Sequence, residues 1–85
     1  MPKVACFEID GLTCWFWSND HQPPHFHAKK AGEWEIRVDF TQTGTEMFSS
    51  VWGGEPGGKI IRELRKNVAA HREDLLAEWE ANVNS

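Results

Sequence analysis

Between Trp34 and Phe40 apolar side chains occupy every second position, and from Leu64 onward they recur at every third or fourth. A period of two puts alternate residues on opposite faces of a strand, whereas a period near 3.6 gathers them on one side of a helix. The switch occurs across Gly53 to Gly58, "GGEPGG", a stretch that favours neither element. A chain built this way buries itself by laying the helical stripe on the apolar face of the strands. The expected fold is therefore α+β: an antiparallel sheet of four or five strands packed by one long C-terminal helix.

The boundaries follow from the same reading. A single domain spans 1–85, with the sheet in 3–52, the Gly-rich link in 53–58 and the helix in 59–82. In "EWEIRVDF", Trp34, Ile36, Val38 and Phe40 turn inward while Glu33, Glu35, Arg37 and Asp39 turn outward. Leu64, Val68, His71, Leu75, Trp79 and Val83 form the helical stripe. Val4 to Ile9 and Leu12 to Trp17 flank Asp10-Gly11, a strong hairpin signal. With a two-residue turn, Ile9 faces Leu12, Cys6 faces Trp15 and Cys14 faces Phe7. The two cysteines then point to opposite sides of the sheet and are expected to be reduced. His25 to Lys30 reads as a third strand and Glu46 to Trp52 as a fifth.

Five Trp and five Phe among 85 residues supply a modest core that needs neither disulfide nor metal to form. The net charge of −4 is uneven: residues 1–55 hold eight acidic and four basic side chains, residues 56–85 five of each. A strongly basic nucleic-acid footprint is absent. No run of about 18 apolar residues is present, so no membrane-spanning helix is expected. The N-terminal "MPKVACFEIDG" lacks the apolar core of a signal peptide, which points to the cytoplasm.

The helix charges oppose its dipole. Lys59, Arg62, Arg65 and Lys66 sit near its start, and Glu73, Asp74, Glu78 and Glu80 near its end. Lys59, Arg62 and Lys66, three and four residues apart, share a face that could meet phosphates or an acidic protein surface, or simply be solvated. "GGEPGGK" spells the beginning of a phosphate-binding loop. However, Ile60 stands where a Ser or Thr should ligate magnesium, so a flexible link is the better reading.

The chemistry concentrates in "NDHQPPHFHA", Asn19 to Ala28. Pro23-Pro24 stiffens the chain ahead of His25 and His27, which a strand turns to one side with Phe26 opposite. A His-x-His pair on one strand face offers two imidazoles to a metal. His21 could fold over the same spot. If the helix packs over that face, His71 joins them, and His25, His27 and His71 become candidate ligands for a divalent ion such as zinc. The competing reading has the histidines bonded to backbone groups or to Asp20 and Glu33 as a structural clamp. His21 with Asp20 or Glu33 could also act as an acid–base pair suited to metal-free cleavage of RNA. Cys6, Cys14, Ser49 and Ser50 are nucleophile types with no spacing that demands such a role.

"NDHQPPHFHA", followed by "GEWE" and by "HREDLLAEW" in the last helix, resembles a family of small bacterial proteins, domain of unknown function 4160. The opening "MP" and the aromatic second strand are also similar, so the resemblance covers most of residues 1–80. The characteristic positions carried over are His21, Pro23, Pro24, His25, Phe26, His27, Gly32, Glu33, His71, Leu75 and Trp79. The sequence departs from the family at "SVWGGEPGGK", where a shorter link is expected. The resemblance implies a small cytoplasmic protein encoded beside another short protein, in the manner of toxin–antitoxin pairs. On this reading His21, His25, His27, Glu33 and His71 form a site between sheet and helix that binds a metal or processes RNA. The alternative is a non-enzymatic binding or inhibitor module with structural histidines.

Overall fold

The computed structural model describes residues 2–83. Its elements are β1 (Thr13–Trp15), β2 (Phe26–Lys30), β3 (Trp34–Val38), β4 (Phe48–Gly53) and α1 (Gly58–Asn82), with a 3-10 turn at Gly44–Met47 before β4. The four strands form an antiparallel meander in the order β1-β2-β3-β4. This is the expected α+β fold in its four-stranded form. No helix is long and apolar enough to cross a membrane among the described residues.

Each sheet face has its own character. Phe26 lies opposite Val38, and Ala28 lies between Cys14 and Ile36. This face meets Leu64, Val68, Leu75 and Trp79 of α1 in one core, where all four helix residues are at most 1% exposed. Trp34, Ile36, Val38 and Phe40 are buried in the same core, as their alternation requires. Trp15, His27, Arg37 and Ser49 make a row across the opposite face, and Lys29, Glu35 and Trp52 make the next row. Among the described residues no helix covers these rows.

The N-terminal arm departs from the expected hairpin. The Asp10-Gly11 turn forms, with Leu12 N–H donating to the Ile9 carbonyl and Gly11 at φ 82°. Pairing is displaced beyond it: Lys3, not Cys6, lies opposite Trp15, and Val4 N–H donates to the Cys14 carbonyl. The reason lies on the helix. Glu78 accepts the Ala5 and Cys6 N–H groups at 2.7 and 3.0 Å, taking those donors out of any ladder. The freed segment carries Phe7 and Ile9 against the core. Both cysteines are free thiols.

Helix α1 is bent at His71, whose φ of −123° and ψ of 20° are not helical. At the bend Arg72 donates to the Phe40 carbonyl at 2.7 Å, and Phe7 packs on the His71 ring with centroids 5.9 Å apart. The first turn has no acidic residue and the last turn no basic one, so the charges do oppose the dipole. Glu78 and Arg72 offset part of that cost through these tertiary bonds. Of the link glycines, Gly53 is required: its φ is 82°, and a Cβ there would collide with the Glu33 carbonyl. The antiparallel sheet also lacks the parallel frame of a phosphate-binding loop.

Candidate functional site

The segment before β2 brings Asp20, His25 and His27 together. One oxygen, Asp20 Oδ2, lies 3.1 Å from His25 Nε2 and 3.2 Å from His27 Nε2. The three donor atoms all lie within 4.8 Å of one another. Strand alternation explains half of this: Phe26 points into the core, so His27 must point to the open face. His25 precedes the first residue of β2 and packs on Trp79, centroids 5.3 Å apart, at the end of the helix-covered layer. The two imidazoles meet at this corner, 5.1 Å apart.

Aromatic rings enclose them. Trp15 stacks on His27 at 5.5 Å and 24°, and Trp17 meets it edge-on at 6.4 Å. His25 is 2% exposed and His27 9%, while the Asp20 side chain keeps 19% of its surface accessible. The corner therefore opens on the aspartate side. Three buried ring nitrogens lack a hydrogen-bond partner among the described residues: Trp15 Nε1, His27 Nδ1 and Trp79 Nε1. All three belong to rings of this corner. Buried polar atoms are normally paired; of these three, His27 Nδ1 belongs to the Asp20, His25 and His27 group, whereas the two indole N–H groups can donate but cannot hold a cation.

The proton positions can be assigned from the partners. His25 Nδ1 lies 2.9 Å from the Pro23 carbonyl, which only accepts, so Nδ1 carries a hydrogen. A neutral His25 then turns the Nε2 lone pair toward Asp20 Oδ2. Two acceptors at 3.1 Å repel unless a proton or a cation lies between them. His27 titrates below the ordinary histidine range, first because burial disfavours its charged form and also because His25 is adjacent; Asp20 and Glu35 oppose that shift. Its Nδ1 faces Glu35 Oε2 at 3.7 Å, close enough for a small adjustment to close the bond.

Nitrogen and oxygen ligands of zinc sit at roughly 2.0–2.2 Å from the ion, which in a tetrahedral arrangement places neighbouring ligands about 3.3–3.6 Å apart. The observed 3.1 and 3.2 Å separations are slightly shorter, so both rings would draw back a little from Asp20 to admit an ion. The set has two imidazoles and one carboxylate. The Pro23 carbonyl orients one ring and Glu35 lies behind the other, the usual outer partners of metal-bound histidines. Three such side chains around one ion would leave coordination positions open.

Several candidates fall outside this group. The helix covers the Phe26 face rather than the His27 face, so His71 is not brought to it. His71 Nδ1 lies 3.3 Å from Asp74 Oδ2, and His71 stands eight residues, about 12 Å of helix, before the Trp79 that His25 touches. The expected site between sheet and helix is thus displaced to a corner where only His25 meets the helix. His21 is exposed on the loop. Glu33 pairs with Lys30 at 3.3 Å with its side chain 58% exposed. Glu35 occupies the position near the cluster that Glu33 was expected to fill. The hairpin register carries that signal: Lys29 faces Glu35, which puts Glu35 diagonal to His27 on the same face. Asp20, read first as a clamp or acid–base partner, is the central atom donor.

The other nucleophile types are not poised for catalysis. Burial pushes the Cys14 thiol up to about 12, and burial with the Glu78 carboxylate pushes Cys6 up to about 12, so neither is a thiolate near neutral pH. Ser49 and Ser50 lie on β4, two strands from β2. Lys59 borders a surface hollow with Glu8, Asp10 and Glu63, whereas Arg65 stacks over Phe48 of β4 at 5.1 Å. The expected Lys59, Arg62 and Lys66 stripe is exposed and runs along the outer surface of the helix.

No curated protein and no solved structure matches the chain. The sequence model of one family, described as domain of unknown function (DUF4160), matches residues 11–80. That span contains β1 to β4, the Asp20, His25 and His27 corner, and α1 as far as Trp79. Most of the chain thus matches one family description, and the protein belongs to the DUF4160 family.

Proposed function

We propose that Asp20, His25 and His27 bind a divalent cation and that this centre is the working site of the protein. The observation that carries the reading is the single oxygen Asp20 Oδ2 set between two Nε2 atoms, with the His25 Nδ1 hydrogen already committed to Pro23. A bound divalent ion would supply open positions for water and a phosphate oxygen, the requirements of phosphodiester hydrolysis. Asp20, the most accessible of the three, faces the entry. The Pro23 carbonyl holds His25 in the tautomer that leaves Nε2 free, and Glu35 Oε2, 3.7 Å from His27 Nδ1, would do the same for His27 once that gap closes. Combined with the toxin–antitoxin-like pairing implied by the family resemblance, the biological reading is a small cytoplasmic bacterial protein that acts on RNA under the control of a protein partner.

Thermal unfolding with added zinc or manganese tests the centre. An ion that binds only the folded chain adds about 2.7 kcal/mol at one hundred times its dissociation constant. The gain should vanish in Asp20→Asn and in His27→Ala, and persist in His21→Ala and His71→Ala. Expression in cells tests the activity: a toxic wild type and a folded but harmless His25→Ala/His27→Ala variant would support it. Unchanged toxicity in that folded double variant would overturn it.

The competing reading is a binding or inhibitor module in which the cluster is a clamp, with His25 carrying an extra proton to Asp20. The His25–Pro23 bond, which ties a stiff loop to the strand, favours it. Partner binding that survives removal of both histidines, with no metal effect on unfolding, would select this alternative.

A further inference from the structure

The two edges of the sheet are finished differently. Along β1 the N-terminal arm covers the edge: Lys3 bridges Trp15, Val4 N–H donates to Cys14, and Phe16 N–H donates to the Pro2 carbonyl. Strand β4 has no such cover among the described residues. Its sequence, "FSSVWG", contains no charge and no proline, two of the devices that keep an edge from pairing. Val51 and Trp52 are 50% and 46% exposed. The register shifts there, with Ser50 opposite Ile36 and Trp52 opposite Glu35, so Val51 is the extra residue of a bulge. The regular pairs before it are Phe48, Ser49 and Ser50.

A groove of about 170 Å³ runs beside this regular stretch, lined by Ile36, Phe48, Ser50, Pro56 and Ile61, with Glu55 its one acidic residue. Arg65 stacks on Phe48 at its rim, and Arg62 Nη1 lies near Gly58 of the link. Neither arginine has a carboxylate within 4.0 Å among the described residues. Residues 59–66 hold four basic side chains and one acidic, in a chain of net charge −4.

We infer that β4 takes up an extended segment of a partner protein as a fifth strand. The segment would place an apolar side chain in the groove and carboxylates against Arg62 and Arg65. An open edge supplies backbone hydrogen bonds and the groove supplies side-chain selection, the two components of strand addition. Charge decides between occupants. Antiparallel pairing of β4 with a second copy would set the two helices side by side on one sheet face and bring two copies of the same excess of basic over acidic side chains together. A nucleic acid could meet the arginines but has no strand of N–H and C=O groups to complete the edge. The inference stands apart from the Asp20, His25 and His27 centre, and its failure leaves that reading untouched.

The probe is a labelled synthetic peptide in which every second residue is threonine and the residues between are valine and glutamate in turn, so that both fall on one strand face, compared with the same peptide carrying lysine for glutamate. The acidic peptide should bind, weaken with added salt, and slow amide exchange within Phe48–Gly53. Arg62→Glu/Arg65→Glu, with unchanged circular dichroism, should lower its affinity about tenfold or more. Equal binding of both peptides, or protection confined to other segments, would overturn the inference. So would a chain that sediments as a dimer with Phe48–Gly53 already protected, or an oligouridylate that displaces the acidic peptide.

Discussion

The helix-covered face of the sheet and its open face are built from the same strands and solve different problems. On the covered face Phe26, Ala28, Ile36 and Val38 are at most 3% exposed and carry no side-chain hydrogen-bonding groups. On the open face Trp15 and His27 are nearly as buried, yet both bring polar ring atoms, and both leave one unpaired. Apolar contact satisfies these strand positions, and the unpaired polar atom of the layer above them, Trp79 Nε1, belongs to the ring that packs on His25. The open face hides polar atoms at a cost of about 1–3 kcal/mol for each one left unsatisfied. The difference separates the part of the molecule that holds the fold from the part that has a use for unpaired atoms.

Substitutions on the two faces should therefore differ in kind. The largest effect belongs to Trp79→Ala, at about 3–5 kcal/mol, because a fully enclosed indole leaves a cavity between helix and sheet. A denaturation midpoint close to wild type would show that this face is not the one that carries the stability. Next comes Glu78→Gln, which weakens the two charge-assisted bonds to Ala5 and Cys6 and should cost about 1–2 kcal/mol. The same variant has a chemical signature. With thiols raised to about 12, both cysteines should react with iodoacetamide at pH 8 more slowly, by roughly a thousandfold or more, than a free thiol of pKa ≈ 8.5. The rate should climb as pH approaches that raised value, since only the thiolate attacks. Removing the Glu78 charge should speed Cys6 and leave Cys14 as it was; equal acceleration of both would indicate loosening of the whole core. The smallest effect is expected on the open face. Trp52→Ala removes a 46% exposed ring with a long bond to Glu35, and should cost less than about 1 kcal/mol by chemical denaturation.

The covered face was legible in the sequence and the open one only in part. Trp34 to Phe40 and Leu64 to Trp79 announce themselves because apolar burial imposes a period on the chain. Phe26 and Ala28 carry the same signal in shorter form. Given full weight, their alternation alone turns His27 away from the helix and removes His71 from the site. The displaced N-terminal arm was not legible. The Asp10-Gly11 turn fixes only its own closure, while the pairing beyond it depends on Glu78, more than seventy residues away along the chain. Asp20 lay within the motif, but nothing in sequence spacing says that one of its oxygens would reach two rings. That contact depends on how the Pro23-Pro24 segment returns the chain to the strand.

The central claim is that the two Nε2 atoms and Asp20 Oδ2 form a cation site, and histidine ring-nitrogen NMR tests it at the atoms concerned. In the metal-free protein at pH 7.5, His25 should show a protonated Nδ1. On titration with zinc, the Nε2 resonances of His25 and His27 should shift together and saturate at one equivalent, with those of His21 and His71 unmoved. In Asp20→Asn the same shifts should need far more zinc. A His25 Nε2 that stays protonated and indifferent to zinc, or a response carried by His21 or His71, would contradict the account.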